Sequence, residues 1–291
     1  MSLGPLKTLL GVLERAEVFF QERLELDRSA ARLDAQVLLA HVLGCDRLQL
    51  YIQHDRPLVE DELSAYRELV RRRAMHEPVA YLLGQREFWS LPIKVDARVL
   101  IPRPDSESIV ELALELMRGR APSRFADVGT GSGALACALA QEFQAARGVA
   151  LDLDEAALDL ARENLKALGF AERIEARHGD LLSVLKEPVD LLVANLPYIS
   201  TEELEQLDLD VRGFEPMQAL DGGKDGLEII RRMVLGLDRV LVPGAWALLE
   251  VGAGQAEAVE KIMLQAGLGE IRRQKDLGGI ERVVAARLPE G

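Results

Sequence analysis

Cysteine is nearly absent: Cys45 and Cys137 are the two in 291 residues. Both lie in apolar stretches of helical character and neither has Cys-x-x-Cys spacing, which excludes a disulfide framework and a structural zinc motif and fits a reducing compartment. Histidine is equally sparse. His41, His54, His76 and His178 are scattered without His-x-His or His-Glu-x-x-His spacing, so no metal site is expected. Positive charge is in deficit: 35 Lys and Arg against 48 Asp and Glu leave a net charge of −13, and such a chain is repelled by phosphate backbones. Aromatics make up 4 %, and the amino-terminal region shows no basic stripe interleaved with them, so stable nucleic-acid binding is not expected. Long apolar runs are missing too. The longest uncharged stretch, Val128 to Gln141, is interrupted by Gly129, Gly131 and Gly133, and the amino-terminal region carries Glu14, Glu17, Glu22 and Arg23. Neither a spanning helix nor a signal-peptide core is expected, and the chain reads as a cytoplasmic protein with no membrane partner.

What remains is ordinary globular material, 48 % hydrophobic and 29 % charged, long enough for one large domain or two modest ones. From Leu6 to Arg73 apolar residues recur at helical spacing, as in Leu9, Leu10 and Leu13 and again in Leu33, Val37 and Leu38. The last of these helices, Leu63 to Met75, ends in Arg71, Arg72 and Arg73, whose simplest role is a solvated helix end favoured by the macrodipole. After Pro78 the pattern changes. Arg86 to Trp89, a Ser90-Leu91-Pro92 turn and the apolar Ile93, Val95 and Val99 to Ile101 predict a hairpin. Pro102 and Pro104 end it, and Asp105 or Ser106 can cap a helix running to Arg118. The expected division is a helical domain over 1–78, a hairpin linker over 79–104 and a larger domain over 105–291.

In that larger region strands and helices alternate, the pattern of a parallel sheet covered by helices. Strands are expected at Arg124 to Val128, Gly148 to Leu153, Ile174 to His178, Val189 to Ala194, Ala245 to Val251, Arg272 to Lys275 and Glu281 to Leu288. Helices are expected at Gly133 to Phe143, Asp154 to Leu168, Gly226 to Leu241 and Ala256 to Ala266. The last two strands are joined by Asp276 to Ile280, too short for a helical crossover, and so should pair antiparallel.

The loop Asp127-Val128-Gly129-Thr130-Gly131-Ser132-Gly133 follows a strand and opens a helix, where glycines let the backbone turn sharply and approach a ligand. The same loop passes a dinucleotide fingerprint with Ala134 in the third position, so glycine count alone does not separate NAD from S-adenosyl-L-methionine. Asp127 tilts the balance: at the strand end it opposes a pyrophosphate, whereas S-adenosyl-L-methionine brings a sulfonium and an ammonium. Asp152, about 20 residues further on, stands where a carboxylate accepts ribose hydroxyls. Asp180 follows the third strand and can accept from an adenine amino group. Asp154, Asp159 and Glu163 read as a helix cap and a solvated face.

The fourth strand runs into Asn195-Leu196-Pro197-Tyr198. A planar –NH2 is a poor nucleophile because its lone pair is delocalised, so it needs acceptors for its two N–H groups more than a strong base. Asn195 offers one acceptor oxygen, the carbonyl of Leu196 another, and Tyr198 an aromatic face. Pro197 holds Leu196 extended. A hydride-transfer enzyme fits poorly, because no histidine proton relay is in prospect near the sheet edge. Glu202, Glu203, Glu205, Asp208 and Asp210 form an acidic run after the tetrad, which reads as a solvated helix or as a docking surface for a basic domain.

These residues resemble the class I S-adenosylmethionine-dependent methyltransferases, and among them the HemK/PrmC-type enzymes that methylate the N5 nitrogen of a glutamine in peptide chain release factors. Beyond the glycine loop the resemblance rests on Glu77-Pro78-Val79-Ala80-Tyr81-Leu82-Leu83-Gly84, Arg86-Glu87-Phe88-Trp89, Leu100-Ile101-Pro102-Arg103-Pro104-Asp105-Ser106-Glu107, Phe214-Glu215-Pro216 and Gly222-Gly223-x-Asp225-Gly226-Leu227. It implies an α/β fold, a Rossmann-like seven-stranded domain of strand order 3-2-1-4-5-7-6 with an antiparallel last strand, behind a small helical domain that helps recognise the release factor. It implies S-adenosyl-L-methionine as cofactor, contacted by Gly129 through Gly133, Asp152, Asp180, Leu181 and Asn195, with S-adenosylhomocysteine as product. Substrate contacts fall on Asn195 to Tyr198, with Phe88 and Arg103 near the pocket. The family usually has Asn-Pro-Pro-Tyr; Leu196 gives the form found in ribosomal RNA dimethyladenosine transferases, and loss of the first proline is expected to loosen Asn195. The rival activity is adenine-N6 methylation of RNA or DNA, which uses the same geometry and which the net charge of −13 disfavours.

Overall fold

Thr8, Asp27 and Asp46 each stand one residue before an apolar-periodic stretch, and each caps the helix that follows: α1 (Leu9–Leu24), α2 (Arg28–Leu43) and α3 (Arg47–Ile52). Their side-chain oxygens accept from backbone N–H groups of the first turn, at 2.7 Å for Asp27 to Ser29 and 2.9 Å for Asp46 to Gln49. The structure, a computed structural model, describes residues 7–276 and 278–290, so Leu6, the expected start of the first helix, lies outside the described residues. Two further helices, α4 (Glu60–Arg73) and α5 (Val79–Leu83), complete a unit that reaches Gly84 and takes in Asp208–Phe214. Its core is the stripe Leu9, Val12, Ala16 and Phe20 of α1 against Ala31, Ala35, Leu38 and Leu39 of α2, spaced three and four apart as a buried helical face requires. Tyr66 of α4 enters the same core and its hydroxyl donates to the carbonyl of Ala35.

Two expectations change in this unit. Arg71 and Arg72 are helix-end arginines paired with Glu68 and Glu77, but Arg73 is 5 % exposed and is not a solvated end. Its Nε donates to Asp34 at 2.8 Å and its Nη1 to Asp210 at 2.8 Å. Asp210, expected in a solvated or docking acidic run, instead belongs to this unit, with its second oxygen 3.0 Å from His76 Nδ1. A buried guanidinium needs carboxylate partners, and local patterning could not name one 137 residues away. The boundary shifts as well: residues 79–83, placed in the linker, form α5 of the helical unit, and the hairpin belongs to the larger one.

The larger unit, Gln85–Leu207 with Glu215 onward, opens with β1 (Gln85–Phe88) and β2 (Leu91–Lys94), paired antiparallel. Trp89 and Ser90 form a two-residue turn with φ of 52° and 58°, the mirror-image geometry that matches strand twist. The expected turn was one residue later. Pro92 therefore lies within β2, where a two-stranded ribbon tolerates its missing N–H. Trp89 is held in its unusual conformation by N–H bonds from its backbone to Glu107 and from its indole to Glu142, both 2.7 Å.

Then follow α6 (Glu107–Leu116), β3 (Arg124–Val128), α7 (Ala134–Glu142), β4 (Arg147–Asp152), α8 (Glu155–Ala167), β5 (Ile174–His178) and β6 (Val189–Ala194). After α9 (Leu209–Arg212) of the helical unit come α10 (Glu228–Val234), α11 (Leu237–Val240), β7 (Leu241–Glu250), α12 (Ala256–Gln265), β8 (Gly269–Lys275) and β9 (Glu281–Arg287). The helix expected over 226–241 is thus broken at Gly236, and β7 begins four residues early. The sheet order is β5-β4-β3-β6-β7-β9-β8, which is 3-2-1-4-5-7-6 when counted from β3. β9 pairs antiparallel with both of its neighbours, β7 and β8. Phe125, Ala126 and Val128 of β3 and Leu191 to Ala194 of β6 are buried on both faces, as central parallel strands covered by helices must be. Asn164 of α8 ties the hairpin to the sheet: its Oδ1 accepts from Lys94 N, and its Nδ2 donates to the carbonyls of Lys94 and Ser132.

Candidate active site

Parallel pairing in register brings the carboxyl ends of β3, β4 and β6 to one edge, so the glycine loop, Asp152 and the Asn195 tetrad become neighbours. A cavity opens there. Among the described residues its wall includes Phe88, Gly129, Thr130, Gly131, Ser132, Asp152, Asp180, Leu181, Asn195, Leu196 and Pro197. Four expected site residues, Asp127, Gly133, Tyr198 and Arg103, do not line it.

The loop geometry explains its glycines. Gly129 has φ 72°, and a β-carbon there would stand 2.9 Å from Leu196 Cδ2. The backbone N–H groups of Gly129 and Thr130 both donate to the carbonyl of Leu151, at 2.8 and 2.9 Å, which folds the loop back over β4. Asp152 closes the turn from the other side: Oδ2 accepts from Gly131 N at 2.8 Å and Oδ1 from Asp154 N at 3.0 Å. Burial raises its carboxyl above the ordinary range although those N–H groups oppose the shift.

Asp127 sits behind the wall rather than on it. It is fully buried, with Oδ2 accepting from Thr130 Oγ1 at 2.6 Å and Ala136 N at 3.0 Å, while Oδ1 has no hydrogen-bond partner among the described residues. Desolvation pushes this carboxyl up to about 7. Asp127 therefore braces the loop and the start of α7. Gly133, at φ 80°, is the residue before α7 and packs close to Ala161.

The tetrad is more firmly held than its missing proline suggests. Leu196 is 4 % exposed and joins Val128, Leu192 and Ala194 in the sheet core, so packing replaces the lost backbone restriction. Asn195 donates from Nδ2 to Ser106 Oγ at 3.1 Å, which leaves Oδ1 of this wall residue as an acceptor. Tyr198 does not offer its ring to the cavity as expected. Its hydroxyl donates to Glu250 Oε1 at 3.2 Å and its carbonyl accepts from Gln255 Nε2 at 2.9 Å; the aromatic group on the wall is Phe88. Arg103 is likewise committed elsewhere, to Glu215 at 2.5 Å, and Glu215 also accepts from Ile101 N.

Three positions in or beside the site escaped sequence reasoning. Ser106 was a candidate helix cap, yet it makes no side-chain cap bond and serves Asn195 instead. Its signal was its place in the Pro-Arg-Pro-Asp-Ser-Glu stretch. Glu250 is the one charged residue of β7, at the end of an apolar run, and that isolation was the signal. Arg232 had none: it lines the cavity and binds Asp180 at 2.5 Å.

Residues 12–84 match the family described as the PrmC N-terminal domain, and residues 107–210 match the methyltransferase small domain. A release factor glutamine methyltransferase of Bradyrhizobium diazoefficiens is 43 % identical over 88 % of this chain and 88 % of its own length. One from Rhodopirellula baltica is 38 % identical over 96 % of this chain and 95 % of its own. Among solved structures, a ribosomal protein L11 methylase from Lactobacillus delbrueckii subsp. bulgaricus shares the fold, with a TM-score of 0.50, 21 % identity and coverage of 68 % of this chain and 85 % of that one.

Proposed function

The chain belongs to the release factor glutamine methyltransferase family, and from that premise we propose that it methylates the N5 amide nitrogen of the glutamine in the Gly-Gly-Gln motif of peptide chain release factors. The observation that carries this reading is the bond from Asn195 Nδ2 to Ser106 Oγ, which reserves the Asn195 carbonyl oxygen for a donor in the cavity.

S-adenosyl-L-methionine is the methyl donor, and when bound it supplies a methyl group made electrophilic by the sulfonium. The residues present fit it. Asp152 and Asp180 give the wall acidic character, a charge pattern that suits a cationic ligand better than a pyrophosphate. Of the two arginines on the wall, Arg232 is paired with Asp180 and Arg98 with Asp96. The carboxylate oxygens of Asp152 each keep a lone pair beyond their present bonds and would accept the ribose hydroxyls. Asp180 and Leu181 would face the adenine, with Asp180 exchanging or sharing its bond to Arg232.

Asn195 Oδ1 and the Leu196 carbonyl take the two N–H groups of the substrate amide. Held so, the nitrogen presents its lone pair to the methyl carbon, and the two acceptors stabilise the positive charge that builds on nitrogen as the bond forms. Phe88 and Pro197 line the same wall and exclude water that would compete for those acceptors. The methylated amide then releases its surplus proton to solvent.

An adenine amine would satisfy the same acceptors, but the net charge of −13 opposes a nucleic-acid substrate. No helix among the described residues is long and apolar enough to cross a membrane. The test is incubation with labelled methyl donor and, separately, a release factor and ribosomal RNA, followed by mass spectrometry. Label on the glutamine peptide supports the reading; label on RNA alone overturns it.

A further inference from the structure

The two polar ends of the tetrad converge on one carboxyl group. Tyr198 donates its hydroxyl to Glu250 Oε1 at 3.2 Å, and Asn195 donates Nδ2 to Ser106 Oγ at 3.1 Å. Ser106 is a near neighbour that favours the ionised carboxyl of Glu250, and no hydrogen bond is closed between the two side chains. Both Ser106 and Glu250 are buried, at 3 % and 2 % exposure, and Glu250 Oε2 closes no hydrogen bond of its own among the described residues. Ser106 was placed by the loop before α6, Tyr198 by the end of β6 and Glu250 by the end of β7. Three elements meet at a buried acid that never touches the cavity.

An amide side chain is nearly symmetric in shape, so packing alone does not decide which end of Asn195 faces the substrate. Its hydrogen-bond partner decides. A serine hydroxyl can donate or accept, and only one of these suits the reaction. If Ser106 gives its proton to a carboxylate, its remaining lone pairs can only accept, and the Asn195 end that meets it must be Nδ2. If Ser106 instead donates to Asn195, the amide turns over and presents N–H to the substrate N–H.

We propose that Glu250 is a positioning residue for methyl transfer: its carboxylate takes the Ser106 proton and so holds Asn195 Oδ1 toward the acceptor amide. This rests on the methyl-transfer reading of the same site. The carboxylate also receives the Tyr198 hydroxyl, so one group sets both ends of the tetrad. Its charged neighbours are Arg282 of β9, which favours ionisation, and Asp105, which opposes it; Arg282 is in turn paired with Asp276 and Asp105. Desolvation dominates and pushes Glu250 up to about 7, which makes the relay sensitive to pH near neutrality.

Glu250→Gln keeps the shape and removes the charge. The expected result is a fall in kcat of about 10- to 100-fold, the usual effect of loosening a group behind a reacting contact, with KM and calorimetric affinity for the methyl donor unchanged. In the wild type kcat should rise with pH through about 7, and this limb should vanish in Glu250→Gln. Ser106→Ala should reproduce the loss in kcat. Unchanged kcat in Glu250→Gln, or an intact pH limb, overturns the proposal. A readout independent of substrate separates this from failure of the methylation reading. In nitrogen-15 NMR of the full chain, the Asn195 side-chain amide should titrate with a midpoint near 7 in the wild type and stay fixed in Glu250→Gln. An amide that does not respond overturns the coupling even if no substrate is methylated.

Discussion

Leu196 Cδ2 lies 2.9 Å from the point a β-carbon on Gly129 would occupy, so the glycine loop and the Asn195 tetrad are packed against one another. Each limits the other. The first glycine is demanded twice, by its φ of 72° and by the side chain across from it.

Gly129→Ala should therefore strain the left-handed backbone by about 1–2 kcal/mol and push Leu196 out of place. The expected outcome is a lowered Tm together with weaker binding of the methyl donor by calorimetry. Leu196→Ala should lower stability by about 2–5 kcal/mol, as removal of a buried leucine does, and should reduce turnover more than donor affinity. Denaturant unfolding and steady-state kinetics measure the two effects, and a surface-like change below 0.5 kcal/mol would contradict the burial of Leu196.

Asn195→Ala removes the acceptor that Ser106 orients. Turnover should fall about 100-fold or more, as for loss of one preorganised hydrogen-bonding group. Near-normal turnover in a release factor methylation assay would reject the role given to this side chain.

Asp152→Ala should weaken binding of the methyl donor by about 1.5–3 kcal/mol, the scale of a lost charge-assisted hydrogen bond. Part of the loss would come through Gly131, whose N–H would no longer be held at 2.8 Å. Asp152→Asn keeps an acceptor for Gly131 and should recover part of the affinity. Equal affinity in all three proteins would remove Asp152 from the cofactor site.

Asp127 governs a pH effect on stability. Burial pushes its carboxyl up to about 7, so the folded protein holds that proton more tightly than the unfolded chain does. The stabilisation is fully present below the ordinary carboxylate pKa and is lost as pH rises through about 7. Without bound donor, Tm should drop between about pH 5 and about pH 8. In Asp127→Asn that drop should be smaller, leaving the share that Glu250, also near 7, contributes with the same sign. An identical slope in the two proteins would show that Asp127 does not ionise over this range.

Much of the fold was legible because its signals are local. Alternating apolar runs and helical periods announced the sheet and its helices, and a five-residue connection announced the antiparallel pair β8 and β9. The glycine loop and the tetrad were legible for the same reason, each being a short stretch whose backbone needs are written in its own residues. The errors came where a residue's partner is distant. Arg73 read as a solvated helix end because nothing nearby told of Asp210, and Tyr198 read as a pocket aromatic because Glu250 lies 52 residues away.

By itself, then, the order of amino acids determined most of the secondary structure, the sheet that follows from it and the two short segments at its carboxyl edge, since φ preference and apolar period act over a few residues. Tertiary structure alone decided which side of each segment faces the cavity. It set Asp127 behind the loop, Leu196 into the core and Ser106 beside Asn195 across 89 residues, because burial and hydrogen-bond saturation are satisfied only when strands distant in sequence pair edge to edge.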